Sequence, residues 1–348
     1  MSLMLDEIAE QPAALERTLK GQLDVAEKLR ASLADNRPEL VVLVARGTSD
    51  NAALFYRYLI EIEAGLPVSL AAPSVTTLYQ ATPAWKNALV IGVSQSGEGT
   101  DINQILESAK AVGARTLGVT NESDSAMAKV VDDLLLVEAG RERSVAATKT
   151  YTGQLLAGYL LAYALGAPVD PEKLRALPDS AAAALASEPA VADLAERYRF
   201  MEQCVVVGRG LNYGNAYEFA LKMMETSYVV AERFSGADLA HGPIAMVEQD
   251  FPAFLFALPG PAFAGALELG KRLRSLGAET VVLSSESDLD GAAVRHMSLP
   301  AVPDGSPSDL YTPIPAIVPA QLFAAHLAEH KGLDPDNPRA LKKVTRTL

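Results

Sequence analysis

The chain has 348 residues, 49% of them apolar, and a formal net charge of −13 at neutral pH. That length suggests two domains, and that apolar content supplies proper cores, so disorder is excluded as the default. The acidic balance argues against a nucleic-acid-binding surface, yet it leaves room for a small phosphorylated ligand, because backbone amides and hydroxyls bind phosphate without net positive charge.

In chain order, residues 1–34 are expected to form a helical segment. A β-branched run at Leu40–Val44 meets the polar turn Arg46–Asp50 and a stretch with helical period. A second apolar run, Ala88–Val93, breaks into the polar loop Ser94–Thr100 before another helix, and a third run follows at Thr116–Val119. The stretch Thr150–Val169 carries no charge but holds Thr152, Gln154, three glycines and Pro168. Its strongly apolar part, Leu155–Leu165, is too short to span a bilayer, so it reads as a buried core helix and no membrane segment is expected. An alanine-rich joint near 180–195 comes next. The same order of runs then returns at Cys204–Val207, Phe254–Leu258 and Thr280–Leu283. The single cysteine, Cys204, reads as a small buried hydrophobe, and the N-terminus lacks a basic start followed by an apolar run. Both features point to a cytoplasmic protein.

The return is a duplication. Gly113, Ala114, Thr116, Glu122, Ser123 and Asp124 recur 164 residues on as Gly277, Ala278, Thr280, Glu286, Ser287 and Asp288, and Asn51 falls on Asn215. Two copies of one unit are expected at 35–180 and 190–330, with a tail at 331–348. Short buried strands alternating with helices predict an α/β fold, a parallel sheet covered on both faces in each copy. Such sheets bind ligands beyond the carboxyl ends of their strands, where the loops Arg46–Asp50 and Ser94–Thr100 fall. The same offset carries Ser94–Gly97 onto Leu258, Pro259, Gly260 and Pro261. The second copy has lost those side-chain donors, and its prolines offer no N–H. The first copy is therefore expected to bind and the second to do something else.

A strand, then Ser-Gln-Ser-Gly, then a helix gathers hydroxyls, an amide and free N–H groups at the positive end of that helix, which suits a phosphate. Ser, Thr and Gly also fill caps and turns routinely, but two such loops on one sheet edge favour phosphate. Nucleotide motifs do not fit. The chain has no Gly-x-x-x-x-Gly-Lys-[Ser/Thr], and Gly208–Gly214 is one residue too long for Gly-x-Gly-x-x-Gly.

Gly47-Thr48-Ser49, Ser94-Gln95-Ser96-Gly97-Glu98 and Ala147-Thr148-Lys149 resemble the sugar isomerase (SIS) domain. Two tandem copies resemble the isomerase half of the glucosamine–fructose-6-phosphate aminotransferase family and, more closely, stand-alone double-SIS deaminases and deglycases. The resemblance covers nearly the whole chain. It implies two tandem SIS domains, with Thr48, Ser49, Ser94, Gln95, Ser96 and Thr100 binding a sugar phosphate.

In the second copy, Lys222 and Glu225 are three apart and share a helix face; read alone they are an exposed ion pair of little worth. His241, just before Gly242 and Pro243, sits at a turn and could titrate near neutrality. Lys342 and Lys343 read alone as a solvated basic tail. The resemblance reassigns these groups to catalysis. It implies that Glu225, with Lys222 beside it, moves a proton between sugar C1 and C2. It also implies that His241 assists ring opening in a partner subunit's site, hence a homodimer, and that Lys343 closes over the sugar and can form an imine with the open-chain ketose. That chemistry requires no metal or redox cofactor.

His326–His330 fits His-x-x-Glu-His, an inverted zinc-protease motif, but Gly332 looks like a helix stop and the two histidines are expected to flank an ordinary terminal helix. The chain departs from the aminotransferase family in having Gly99 for a threonine, Ala147 for a serine and Met224 for a lysine, and no glutaminase domain is expected. The expected activity is deamination of glucosamine 6-phosphate to fructose 6-phosphate and ammonia. The alternatives are a deglycase acting on fructosamine 6-phosphates such as fructoselysine 6-phosphate, and a non-catalytic sugar-phosphate sensor. Against the sensor stand the absence of a basic DNA-binding flank and the presence of Glu225, His241 and Lys343 together.

Overall fold

A computed structural model of the chain describes residues 2–301, 308–341 and 343. It divides into two compact units, one of Ala13–Glu142, Lys149–Arg175 and Leu341–Leu348, the other of Met1–Pro12, Arg143–Thr148 and Ala176–Ala340.

The first unit holds a five-stranded sheet of β1 (Leu40–Val44), β2 (Val68–Leu70), β3 (Ala88–Val93), β4 (Arg115–Thr120) and β5 (Asp133–Leu136) in the order β2-β1-β3-β4-β5. Every pairing is parallel. β3 is buried along its whole length, so it needs a continuous apolar run rather than an alternating one. Val42, Val44 and Val90 meet Ile102, Ile105 and Leu106 of the helix Thr100–Ala111, together with Met127. Each such aliphatic side chain contributes about 1.5–3 kcal/mol through burial. Gly92 permits the contact, since a Cβ there would stand 2.8 Å from Leu106 Cδ1 and 2.9 Å from Met127 Cε.

On the other face lies the helix Lys149–Ala164, buried almost all round, as expected for the uncharged stretch. Gly158 lets it approach the helix Thr48–Leu59 closely; a Cβ there would lie 2.4 Å from the Tyr56 ring. Tyr56 donates its hydroxyl hydrogen to the Gln154 carbonyl at 2.6 Å. No described helix is long and apolar enough to cross a membrane.

The second unit repeats the plan with β6 (Gln203–Val207), β7 (Val230–Phe234), β8 (Pro252–Phe256), β9 (Glu279–Ser284) and β10 (Arg295–Ser298), all parallel, in the order β7-β6-β8-β9-β10. The duplication extends to register: Val42 pairs with Val90, and their equivalents Val206 and Phe254 pair likewise. Phe254 sits in an aromatic cluster with Tyr198, Phe219 and Phe323, ring centroids 5.1–5.9 Å apart.

The alanine-rich joint is not a linker. It forms the helices Leu177–Leu185 and Glu188–Arg197, which pack with Pro313–His330 and bury Ala181, Ala184, Val191 and Ala195. Small side chains let these helices lie close together, which explains the composition. The helix Leu3–Ala9 also packs on Pro313–His330, and the amides of Leu3 and Met4 donate to the Asp336 carboxylate at 2.7 and 2.8 Å.

In each sheet the strand order reverses between the first and third strands in sequence, β1 and β3 or β6 and β8. That reversal opens a crevice at their carboxyl ends.

Candidate functional site

At the first crevice, β3 ends at Val93 and the chain turns through Ser94–Gly99 into the helix Thr100–Ala111. Ser94 Oγ accepts from the Gly97 amide at 3.1 Å and Ser96 Oγ from the Glu98 amide at 3.3 Å. Both hydroxyls thus shape the turn as acceptors, and each keeps its own hydrogen to donate. Gly97 has φ +64°, and a Cβ there would fall 2.3 Å from Ser125 Oγ. Its carbonyl accepts from Asn103 Nδ2 at 3.1 Å and from the Met127 amide at 3.0 Å, which pins the loop. Gly99 is the N-cap of the helix, with no side-chain cap, and Thr100 is exposed in the first turn.

The loop after β1 faces the same crevice. Thr48 is half-buried at the start of its helix, whereas Ser49 is only 7% exposed and its hydroxyl accepts from Gln154 Nε2 at 2.8 Å. Arg46 Nε lies 2.8 Å from Oδ2 of the buried Asp101, which sets an exposed guanidinium beside the N-terminus of Thr100–Ala111. The sequence reading did not single out Arg46; a cation between a strand end and Gly-Thr-Ser was the available signal.

Glu142 was missed as well, because Arg141-Glu142-Arg143 reads as a solvated charged loop. Its side chain is in fact 0% exposed. Its Oε2 accepts from Thr150 Oγ1 at 2.6 Å and from Gln95 Nε2 at 3.0 Å, and its Oε1 from the Thr150 amide at 3.4 Å. Lys343 Nζ stands 3.6 Å from the same Oε2. The buried Lys149 secures this loop by donating to the Arg141 carbonyl at 2.8 Å. Lys342 lies outside the described residues.

The second unit carries a different set. On the helix Tyr213–Ser227, Lys222 Nζ lies 2.6 Å from Glu225 Oε2 and 3.3 Å from Glu218 Oε1. Lys222 is buried, not exposed as the spacing alone suggested, and Glu218 is a third member detectable only as a carboxylate one turn before the lysine. Burial alone would lower the Lys222 ammonium, but the two carboxylates, Glu218 first, outweigh it and hold the group above the ordinary lysine range. Glu225 is the outward end of the triad, 22% exposed. His241 is exposed and ends the short helix Gly236–Ala240, whose cap Ser235 accepts from the Asp238 amide at 3.2 Å.

The structure thus gathers Gln95 and Lys343 around Glu142 in one unit, next to Ser94, Ser96 and Thr100, and gathers Lys222 and Glu225 in the other. Cys204 is buried, and burial pushes its thiol up. His326 Nε2 is 3.1 Å from Glu188 Oε1 in the terminal helix, and among the described residues no cluster of His, Cys, Asp or Glu forms a metal-binding set.

Two parallel doubly wound sheets, one with a hydroxyl-rich loop at its crevice and one with a charge triad built on a buried lysine, define a tandem α/β protein. The chain belongs to the SIS domain family, whose pattern matches residues 36–164 and again 201–330. It is 36% identical over 355 residues to the glutamine–fructose-6-phosphate aminotransferase (isomerizing) of Gloeobacter violaceus, covering 98% of this chain and 58% of that protein. The chain therefore spans somewhat more than half the length of that relative. Its fold superposes on the C-terminal domain of glucosamine-fructose-6-phosphate aminotransferase from Francisella tularensis with a TM-score of 0.86 at 26% identity, covering 97% of this chain and 98% of that one. A candidate phosphosugar isomerase from Silicibacter pomeroyi gives a TM-score of 0.84 at 32% identity, covering 97% and 100%.

Proposed function

We propose that the chain converts amino-sugar phosphates between aldose and ketose forms, and that its reaction is glucosamine 6-phosphate plus water to fructose 6-phosphate plus ammonia. In this reading the phosphate is taken by Thr48, Ser94, Ser96 and Thr100, with Arg46 supplying positive charge at the helix N-terminus. Ser49 supports that loop from within. Once the ring is open, Glu225 carries a proton from C2 to C1. The aldehyde carbon becomes CH2OH, the C2 amine becomes an imine, and water hydrolyses that imine to the ketone and ammonia. His241, exposed at its turn, serves ring opening within a homodimer, and Lys343 provides an amine able to form a transient imine with the open-chain ketose.

The observation that carries this reading is the partly exposed Glu225 carboxylate, anchored at 2.6 Å by a buried lysine. An exposed surface pair would need no such burial, and a mere sensor gains nothing from holding the Lys222 and Glu218 charges out of water. The test is incubation of purified protein with glucosamine 6-phosphate, following ammonia and fructose 6-phosphate. Release of lysine from fructoselysine 6-phosphate in their place would assign a deglycase; binding without turnover of either substrate would assign a sensor. Light scattering tests the dimer, and an active monomer would remove the role given to His241.

A further inference from the structure

Glu142 has no part in the chemistry just proposed, yet it is among the most heavily engaged carboxylates of its unit. A buried carboxylate that stays ionised must be paired and hydrogen-bonded. Its donors come from Thr150 in the adjoining helix and from Gln95 in the Ser94–Thr100 loop, and its counter-charge is Lys343 of the C-terminal tail. Gln95 Nε2 and Lys343 Nζ share one oxygen, at 3.0 and 3.6 Å.

This geometry also changes what Gln95 can do. Its amide nitrogen points at Glu142 Oε2 and, at 3.3 Å, at Thr150 Oγ1, which occupies both N–H groups. What remains is the carbonyl oxygen, an acceptor. An acceptor suits a sugar hydroxyl and repels a phosphate oxygen.

We propose that Glu142 is a positioning residue that couples the tail to the ligand loop: its carboxylate docks Lys343 beside Ser94–Thr100 and turns Gln95 so that its carbonyl reads a hydroxyl of the bound sugar. The proposal deepens the sugar-phosphate reading and rests on it. With Glu142 in place, the tail lysine is held at the loop before substrate arrives, so little ordering is left for the binding step. Ligand that seats against Gln95 braces the same carboxylate and strengthens the hold on the tail. Glu142 touches neither substrate nor reacting atoms; it acts through two neighbours.

The test uses Glu142→Gln, which keeps the shape and removes the charge. In the ligand-free protein, trypsin cleavage after Lys343, read by intact mass, is expected to quicken about fivefold. The KM for glucosamine 6-phosphate is expected to rise by a similar factor. Glu142→Asp, which retains the charge, should restore most of the protection and report that the fold tolerates change here. Combining Glu142→Gln with Lys343→Met should raise KM no further than Lys343→Met alone. Unchanged cleavage in Glu142→Gln, or KM effects that multiply in the double variant, would overturn the proposal. The cleavage arm needs no substrate, so an inactive wild type would sink the functional reading while leaving this arm to decide whether Glu142 docks Lys343.

Discussion

Lys222 Nζ meets Glu225 Oε2 at 2.6 Å from a side chain that is 1% exposed, while the carboxylate it holds is 22% exposed. A fixed cation behind and solvent in front keep Glu225 in one position with an oxygen available. That is the arrangement a carboxylate base requires, because proton transfer depends on geometry before it depends on acidity. Glu225→Gln is therefore expected to lower kcat for glucosamine 6-phosphate by about 100-fold or more, with sugar-phosphate affinity nearly unchanged by calorimetry. Retention of full turnover would remove Glu225 from the mechanism.

Lys222→Met should act on stability as well as on rate. It leaves the Glu218 carboxylate buried without its cation, a loss of about 3–5 kcal/mol for breaking a buried pair. Urea unfolding followed by circular dichroism measures it, and Glu218→Gln in the Lys222→Met background should return part of the loss.

The same triad sets a pH dependence. Lys222 has its folded pKa raised above the unfolded value of about 10.4, so its contribution is fully present below that value and is lost as pH rises through the folded one. The stability gap between wild type and Lys222→Met attributable to this group should stay flat from about pH 7 to about pH 9 and close only in strong alkali. Unfolding midpoints across that range check it; a gap that closes near neutrality contradicts the assignment.

Gly97→Ala is expected to damage the loop in two ways. The φ of +64° costs an L-residue about 1–2 kcal/mol, and the new methyl collides with Ser125 Oγ. Sugar-phosphate affinity should fall at least tenfold and the thermal midpoint should drop by a few degrees, since Gly97 is buried and its carbonyl is bonded to the core residue Met127. Adding Ser125→Gly should recover only part of that loss, because it relieves the collision and not the backbone.

Gly99→Thr tests the departure from the aminotransferase pattern. Gly99 has an ordinary φ of −62°, and a Cβ there meets Ile102 Cδ1 at 3.3 Å and the Asp101 carboxylate at 3.6 Å, both close to ordinary contact. A threonine would cap the helix Thr100–Ala111, adding a few tenths of a kcal/mol, and would bring another hydroxyl to the anion site. Roughly tenfold tighter binding of fructose 6-phosphate is expected, the worth of one charge-assisted hydrogen bond. Weaker binding would place the phosphate elsewhere.

What the sequence revealed and what it hid follow one physical rule. The runs at Leu40–Val44, Ala88–Val93 and Thr116–Val119, with their second-copy partners, are buried on both faces and therefore spell continuous apolar segments. The outer strands escaped notice: Val68–Leu70 is three residues long, and Val230–Phe234 buries little beyond Ala231. An edge strand is half wet, so its composition resembles that of a loop. The hydroxyl loops were legible because Ser, Gln and Gly stand out after an apolar run. Glu142 and Glu218 were not, since sequence reports that a residue is charged and never that it is buried.

The bond from Leu3 and Met4 to Asp336 joins positions more than three hundred residues apart, by one carboxylate at the start of a helix where its charge is favoured. A domain or tag fused ahead of residue 2 would emerge beside the approach to the tail that carries Lys343.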